Sequence, residues 1–189
     1  QDEWAGGRFK LAFSYVGGDL EVDDPRAAPS MSDPRPLFDG VLEIEMYVLS
    51  AAYQDEHFSL IGEYAQTHTH SRFLSFPGRN GTVVGDGLYV QADWRVTPNG
   101  KLYLRRDMVF TDREDRNGRE AAERFAIDRY SRFTYDTVLG MNYNWGRNWG
   151  LWAEGHLIDG TLTVSTVDNL GHVRDHHGSL LAVMLAYRF

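Results

Sequence analysis

The 189-residue chain has no cysteine. Disulfide frameworks, thiolate metal sites and cysteine nucleophiles are thereby excluded, and the composition suits folding through an oxidising periplasm. Long apolar runs are also missing. Nowhere do about 18 apolar residues follow one another, which excludes a transmembrane helix. A transmembrane strand is not excluded, because it needs only about 9 to 11 residues and alternates its polarity. A chain with a mean hydropathy of −0.43 can therefore still cross a bilayer. Cations are scarce: 19 Lys and Arg stand against 27 Asp and Glu, a formal charge of −8. That balance argues against nucleic acid, whose phosphates need clustered Lys and Arg, and against a basic cytoplasmic membrane-surface protein. Proline is sparse, and four of the six residues, Pro25, Pro29, Pro34 and Pro36, crowd into one segment. The chain begins with Gln1, so the expectation is a removed leader or a piece of a longer protein. Its length fits one domain over 1–189.

What is present is alternation. Period-2 patterning predicts about eight strands, at Gly7 to Glu21, Val41 to Tyr53, Phe58 to Thr69, Asp86 to Val96, Lys101 to Thr111, Arg132 to Trp145, Trp149 to Thr163 and Ser179 to Phe189. A single helix-like patch, Gly118 to Ile127, reads as a short turn of helix inside a loop. The connections alternate in length. Gln54-Asp55-Glu56, Thr97-Pro98-Asn99-Gly100 and Gly146-Arg147-Asn148 are tight turns. Val22 to Gly40, His70 to Gly85, Asp112 to Ser131 and Val164 to Gly178 are long and polar. Short turns at one end and long loops at the other match the periplasmic and extracellular rims of an outer-membrane barrel. An even strand count puts Gln1 on the side of the short turns.

The faces sort by chemistry. Leu88, Val90, Ala92, Trp94 and Val96 oppose Tyr89, Gln91, Asp93 and Arg95. Leu42, Ile44, Met46 and Val48 oppose Glu43, Glu45 and Tyr47, and Phe133, Tyr135, Leu139, Met141, Tyr143 and Trp145 oppose Thr134, Asp136, Asn142 and Asn144. Alternation alone fits a soluble lipocalin-like barrel with its apolar side inward. The aromatics favour the membrane: Trp94, Tyr143, Trp145 and Trp149 cluster beside the short turns, where a girdle at the headgroup level is expected.

The last strand, Ser179-Leu-Leu-Ala-Val-Met-Leu-Ala-Tyr-Arg-Phe189, sets Leu181, Val183, Leu185, Tyr187 and Phe189 on one face, and it looks like the closing strand of a Gram-negative outer-membrane β-barrel. The segments Gly87-Leu-Tyr-Val-Gln-Ala-Asp-Trp-Arg-Val-Thr-Pro98, Asp136-Thr-Val-Leu-Gly-Met-Asn-Tyr143 and Trp149-Gly-Leu-Trp-Ala-Glu-Gly-His-Leu-Ile-Asp-Gly160 resemble the C-terminal strands of porin-like outer-membrane proteins. The match covers a little over half of the chain and is weaker from Gly7 to Thr69. The resemblance implies an all-β, antiparallel transmembrane barrel in the bacterial outer membrane. It implies that Tyr187 and Phe189 form the signal read by the barrel-assembly machinery, with outer-membrane lipids and lipopolysaccharide as surroundings. Members are commonly longer, so the chain is either a small barrel or the C-terminal half of a larger one, alone or as a homo-oligomer. Arg106 departs from the family's pattern. Its register puts a cation on the lipid side, where the cost is about 2 to 4 kcal/mol at the midplane, so either it snorkels near a rim or the register is off by one.

On this reading the lumen is lined by Lys10, Glu43, Glu45, Glu63, Asp93, Arg95, Arg105, Asp107, Asp136, Glu154, His156 and Arg188. In a barrel of about eight strands the interior is just wide enough for side chains, and the charges pair into a plug. In one of about 16 strands they line a water-filled channel. The expected role is passive diffusion of small hydrophilic solutes through a channel. The alternatives are a closed structural or adhesive barrel and, third, a lipid-modifying enzyme. No catalytic residues and no cofactor are expected. His68, His70, Ser71, His172, Asp175, His176 and His177 fall in or beside the expected extracellular loops without a distinctive catalytic arrangement. His68 with His70, or His176 with His177, could hold a metal ion, but spacing fixes no further ligand and no metal is assigned. Gly78-Arg-Asn-Gly81 leads into a strand and lacks the helix N-terminus of a phosphate loop.

Overall fold

A computed structural model describes residues 2–4, 6–22, 40–73, 80–163 and 175–189. Among these residues, nine strands form one antiparallel sheet in which each strand pairs with its neighbours in sequence. They are β1 (Asp2–Trp4), β2 (Gly7–Val22), β3 (Gly40–Gln54), β4 (Phe58–Phe73), β5 (Gly81–Thr97), β6 (Gly100–Phe110), β7 (Phe133–Trp145), β8 (Trp149–Asp159) and β9 (His177–Tyr187). A short helix, α1 (Arg119–Phe125), and a 3-10 turn at Arg129–Arg132 lie between β6 and β7. Among the described residues, no helix is long and apolar enough to cross a membrane. The sheet is not closed: among the described residues β9 pairs only with β8, and β2 only with β1 and β3.

The eight expected strands all form. Two features go beyond the expectation. β1 adds a three-residue ladder to β2, Trp4 opposing Gly7, through a turn at Gly6 with a φ of 79°. β4 and β5 also run on into the segment read as a loop, to Phe73 and from Gly81. Their polar ends still pair, His70 with Thr82 and Ser71 with Gly81. Thr67, Thr69 and Thr82 are β-branched and favour extended backbone whether or not they alternate with apolar residues. Of the expected loops, residues 23–39, 74–79 and 164–174, His172 among them, lie outside the described residues.

The short turns carry their own fastenings. At the β3–β4 turn the Asp55 carboxylate accepts the backbone N–H groups of His57 and Phe58 at 2.8 and 2.7 Å. This side-chain imitation of a turn suits Asp. The β7–β8 turn uses Gly146 at a φ of 62°, and its Asn148 carbonyl accepts the Arg188 N–H at 2.8 Å.

Following the ladder sorts the side chains into two faces. One runs through Ser59, Asp93, Tyr103, Gly140 and Glu154, the other through Leu60, Ala92, Leu104, Leu139, Gly155 and Leu181. The apolar face is the exposed one. Leu104, Leu139, Leu157 and Leu181 are 57%, 66%, 67% and 74% exposed, whereas Asp93 is 7% and Val138 0%. Val138 and Leu139 are adjacent on one strand, so curvature and the long side chains of the ladder neighbours Arg105 and His156 must make the difference. The charged face is therefore the concave one.

The exposed apolar stretch is oblique to the ladder. The row Phe9, Tyr53, Leu60, Ala92, Leu104, Leu139, Gly155, Leu181 crosses the sheet by direct pairing. On β2 it marks the turn end of the run Phe9, Leu11, Phe13, Tyr15. On β9 it marks the opposite end of the run Leu181, Val183, Leu185, Tyr187. Strands that hold one apolar band while it slides along the register are tilted with respect to that band.

Candidate functional site

The concave face concentrates the charge. Nine of the expected inward residues, Glu63, Asp93, Arg95, Arg105, Asp107, Asp136, Glu154, His156 and, continuing β9, Arg188, fall on it together with Lys10. Glu43 and Glu45 do not. The β3–β4 ladder pairs them with His70 and His68, on the side of Tyr47 and Leu49, and turns Leu42, Ile44, Met46 and Val48 toward the concave side. The physical reason is that β3 is apolar on both faces, in different halves. Its exposed face reads Tyr53, Ala51, Leu49, Tyr47 from the turn and only then reaches the two glutamates. Glu43 pairs with Arg72, and Glu45 accepts from Tyr15 at 3.1 Å.

The concave charges form two linked groups. Asp93 accepts the Ser59 hydroxyl at 2.7 Å, the Gln91 amide at 3.0 Å and the Lys101 ammonium at 3.2 Å, and Gln91 accepts from Tyr89 at 2.7 Å. One strand further on, Arg105 Nε donates to Asp107 at 2.9 Å, and its Nη1 lies 3.9 Å from Glu154. Glu154 also accepts from the Tyr103 hydroxyl and contacts His156 Nε2 at 3.3 Å, while His156 Nδ1 meets Asp136 at 2.8 Å. Tyr103 and Arg105 reach β8 by passing over β7, where Gly140 and Val138 are their partners. A Cβ at position 140 would fall inside the Tyr103 ring, so glycine is what permits the crossing.

This wall is polar beyond its protein hydrogen bonds. Along β7, Thr134 Oγ1, Asp136 Oδ1 and Asn142 Oδ1 are buried and have no hydrogen-bond partner among the described residues. Buried polar atoms of this kind are satisfied by water where space allows.

The aromatics gather at the short-turn end of the exposed face. Ring contacts run without a break through Tyr143, Trp145, Trp149, Tyr187 and Phe189. The separations are 6.3 Å for Tyr143 with Trp145, 5.9 Å for Trp145 with Trp149, 4.8 Å for Trp149 with Tyr187 and 5.3 Å for Tyr187 with Phe189. Trp94 stands on the same face, 58% exposed. Sequence reading placed these residues by turn proximity alone and did not reach their mutual contact, which needs the β7–β8–β9 register.

Arg106 shares the exposed face with Leu102, Leu104 and Met108, so the sequence register is not off by one. Its guanidinium donates to Thr137 and lies 5.0 Å from the centre of the Tyr135 ring, one row further from the short turns. The charge is thus drawn away from the middle of the apolar band. Comparison with family models, with curated proteins and with solved structures finds no match.

Proposed function

We propose that the chain is an antiparallel transmembrane β-barrel of the bacterial outer membrane, porin-like, through which small hydrophilic solutes diffuse passively. The observation that carries this reading is the inverted burial. Leucines are among the most exposed residues and aspartates among the least, a pattern that costs stability in water and gains it where hydrocarbon wets one face. The exposed apolar residues extend across all eight long strands, from Leu11 and Phe13 on β2 to Leu181 and Val183 on β9, a contiguous face of a kind that soluble monomers rarely expose. From Trp145 to Tyr135 a strand advances about 33 Å at about 3.3 Å per residue. Foreshortened by a tilt of about 40°, this gives about 25 Å, the height of an outer-membrane apolar band. The slip of the band along the register supports that tilt, and β2 and β9, being antiparallel, are suited to join.

A second reading keeps the membrane and removes the pore. The network from Tyr103 and Arg105 to Glu154, His156 and Asp136 spans three strands, and in a barrel of about eight strands such side chains fill the interior. The protein would then be a structural or adhesive barrel. Neither reading assigns a catalytic role to the loop histidines. Planar-bilayer recording of the purified, folded protein separates them. Stepwise ion currents are expected, and silence from protein that still shifts on a gel upon heating would overturn the channel.

A further inference from the structure

At the end of the sheet away from the short turns, Asp159 closes β8 and His177 opens β9, directly opposed in the ladder. In a regular strand His176 and His177 would point to opposite faces. His176 instead lies in the bend just before β9, and both rings turn toward Asp159. His176 Nδ1 is 3.0 Å and His177 Nδ1 is 3.4 Å from the same carboxylate oxygen, and each of the three residues offers one ligand atom within 4.8 Å of the other two. Nitrogen and oxygen ligands at about 2.0–2.1 Å from a tetrahedral zinc ion are about 3.3 Å apart.

The framework around these donors is already fastened. The His176 ring stacks flat on Tyr130, with centroids 3.8 Å apart and planes 1° from parallel. The Gly160 N–H donates to the His176 carbonyl at 2.8 Å, and the Thr161 N–H to the Tyr130 carbonyl at 2.7 Å. Gly160 has a φ of 102°, and a side chain there would strike the Phe133 carbonyl, so the approach of these segments depends on glycine. His68 and His70 differ: they bond to Gln66 and Thr82, and no third donor completes a set with them among the described residues.

We propose that Asp159, His176 and His177 form a binding site for a divalent transition-metal ion of the zinc class, at the base of the β8–β9 connection. Two imidazoles and a carboxylate suit zinc, cobalt or nickel and not calcium or magnesium, which take oxygen ligands. The bound ion holds the end of β8, the start of β9 and, through the Tyr130 stack, the 3-10 turn before β7 in one arrangement. The site stands whether or not the sheet encloses a channel.

The test uses the full chain folded in detergent, with Co2+ as the probe. The expected result is a visible d–d absorption that saturates at one equivalent and is abolished by one equivalent of Zn2+. Asp159→Asn and His177→Ala should each weaken Co2+ binding at least tenfold, while the double variant His68→Ala/His70→Ala should leave it unchanged. His177 is 67% exposed in its side chain, so its replacement tests the ligand without disturbing packing, should Asp159→Asn impair folding. Absence of saturable binding, or binding that survives His177→Ala in folded protein, overturns the site.

Discussion

The Tyr103 hydroxyl donates to Glu154 across an intervening strand, and the row between them is occupied by Gly140. Gly140→Ala puts a methyl group where the Tyr103 ring lies. A loss of about 1–3 kcal/mol is expected in denaturant unfolding of the folded protein in vesicles, as for an overpacked core. Tyr103→Ala in the same chain should recover part of that loss, because the two changes act on one contact. Simple additivity of the two losses would refute the contact.

The exposed face gives a depth-dependent prediction. Leu139→Arg, in the middle of the β7 band, should destabilise by about 2–4 kcal/mol in vesicles. Arg106→Leu should stay within about 1 kcal/mol of the parent, because its guanidinium is already lifted toward Tyr135. Unfolding midpoints of the two variants against the parent check both.

In the proposed channel, the absence of Glu43 and Glu45 from the concave face weighs against a cation preference. Arg8, Lys10, Arg95, Lys101, Arg105 and Arg188 remain there against Glu63, Asp93, Asp107, Asp136 and Glu154. The near balance predicts weak ion selectivity in reversal-potential measurements under a salt gradient. Lys101→Glu should move the reversal potential toward cations, and Glu43→Gln should leave it where it was.

At the β3–β4 turn, the backbone N–H groups of Phe58 and His57 hold the Asp55 carboxyl below the usual carboxylate range. The folded state therefore binds this proton less readily than the unfolded state. The contribution is fully present above the unfolded value of about 3.9 and is lost as pH falls through the lower folded value. Asp55→Asn should be less stable than the parent at neutral pH, with the gap closing below about pH 4 in an acid unfolding series. A gap that is constant with pH would contradict the assignment.

The eight long strands were legible because period-2 alternation survives in them, and the tight turns announce themselves through Asp55, Pro98-Asn99 and Gly146. Faces were legible where one side is continuously apolar, as in Leu88 to Val96. They were not in β3, whose apolar residues change sides halfway, so that only its pairing with β4 reveals where Glu43 and Glu45 point. The reach of Tyr103 to Glu154 depends on three strands at once, and the meeting of Asp159 with both His176 and His177 depends on a bend just outside a strand. Neither leaves a local pattern. β1 is too short to show a period.

What wets the exposed leucines decides whether this sheet spans a membrane. Spin labels placed singly at Leu139, Leu157 and Val183, and at Asp107 and Ala182 on the other face, can be read in lipid vesicles for collisions with oxygen and with a water-soluble nickel chelate. In a membrane-spanning sheet the first three meet oxygen and are shielded from nickel, while the other two show the reverse. Nickel access at Leu139, Leu157 and Val183 equal to that at Asp107 would contradict that arrangement.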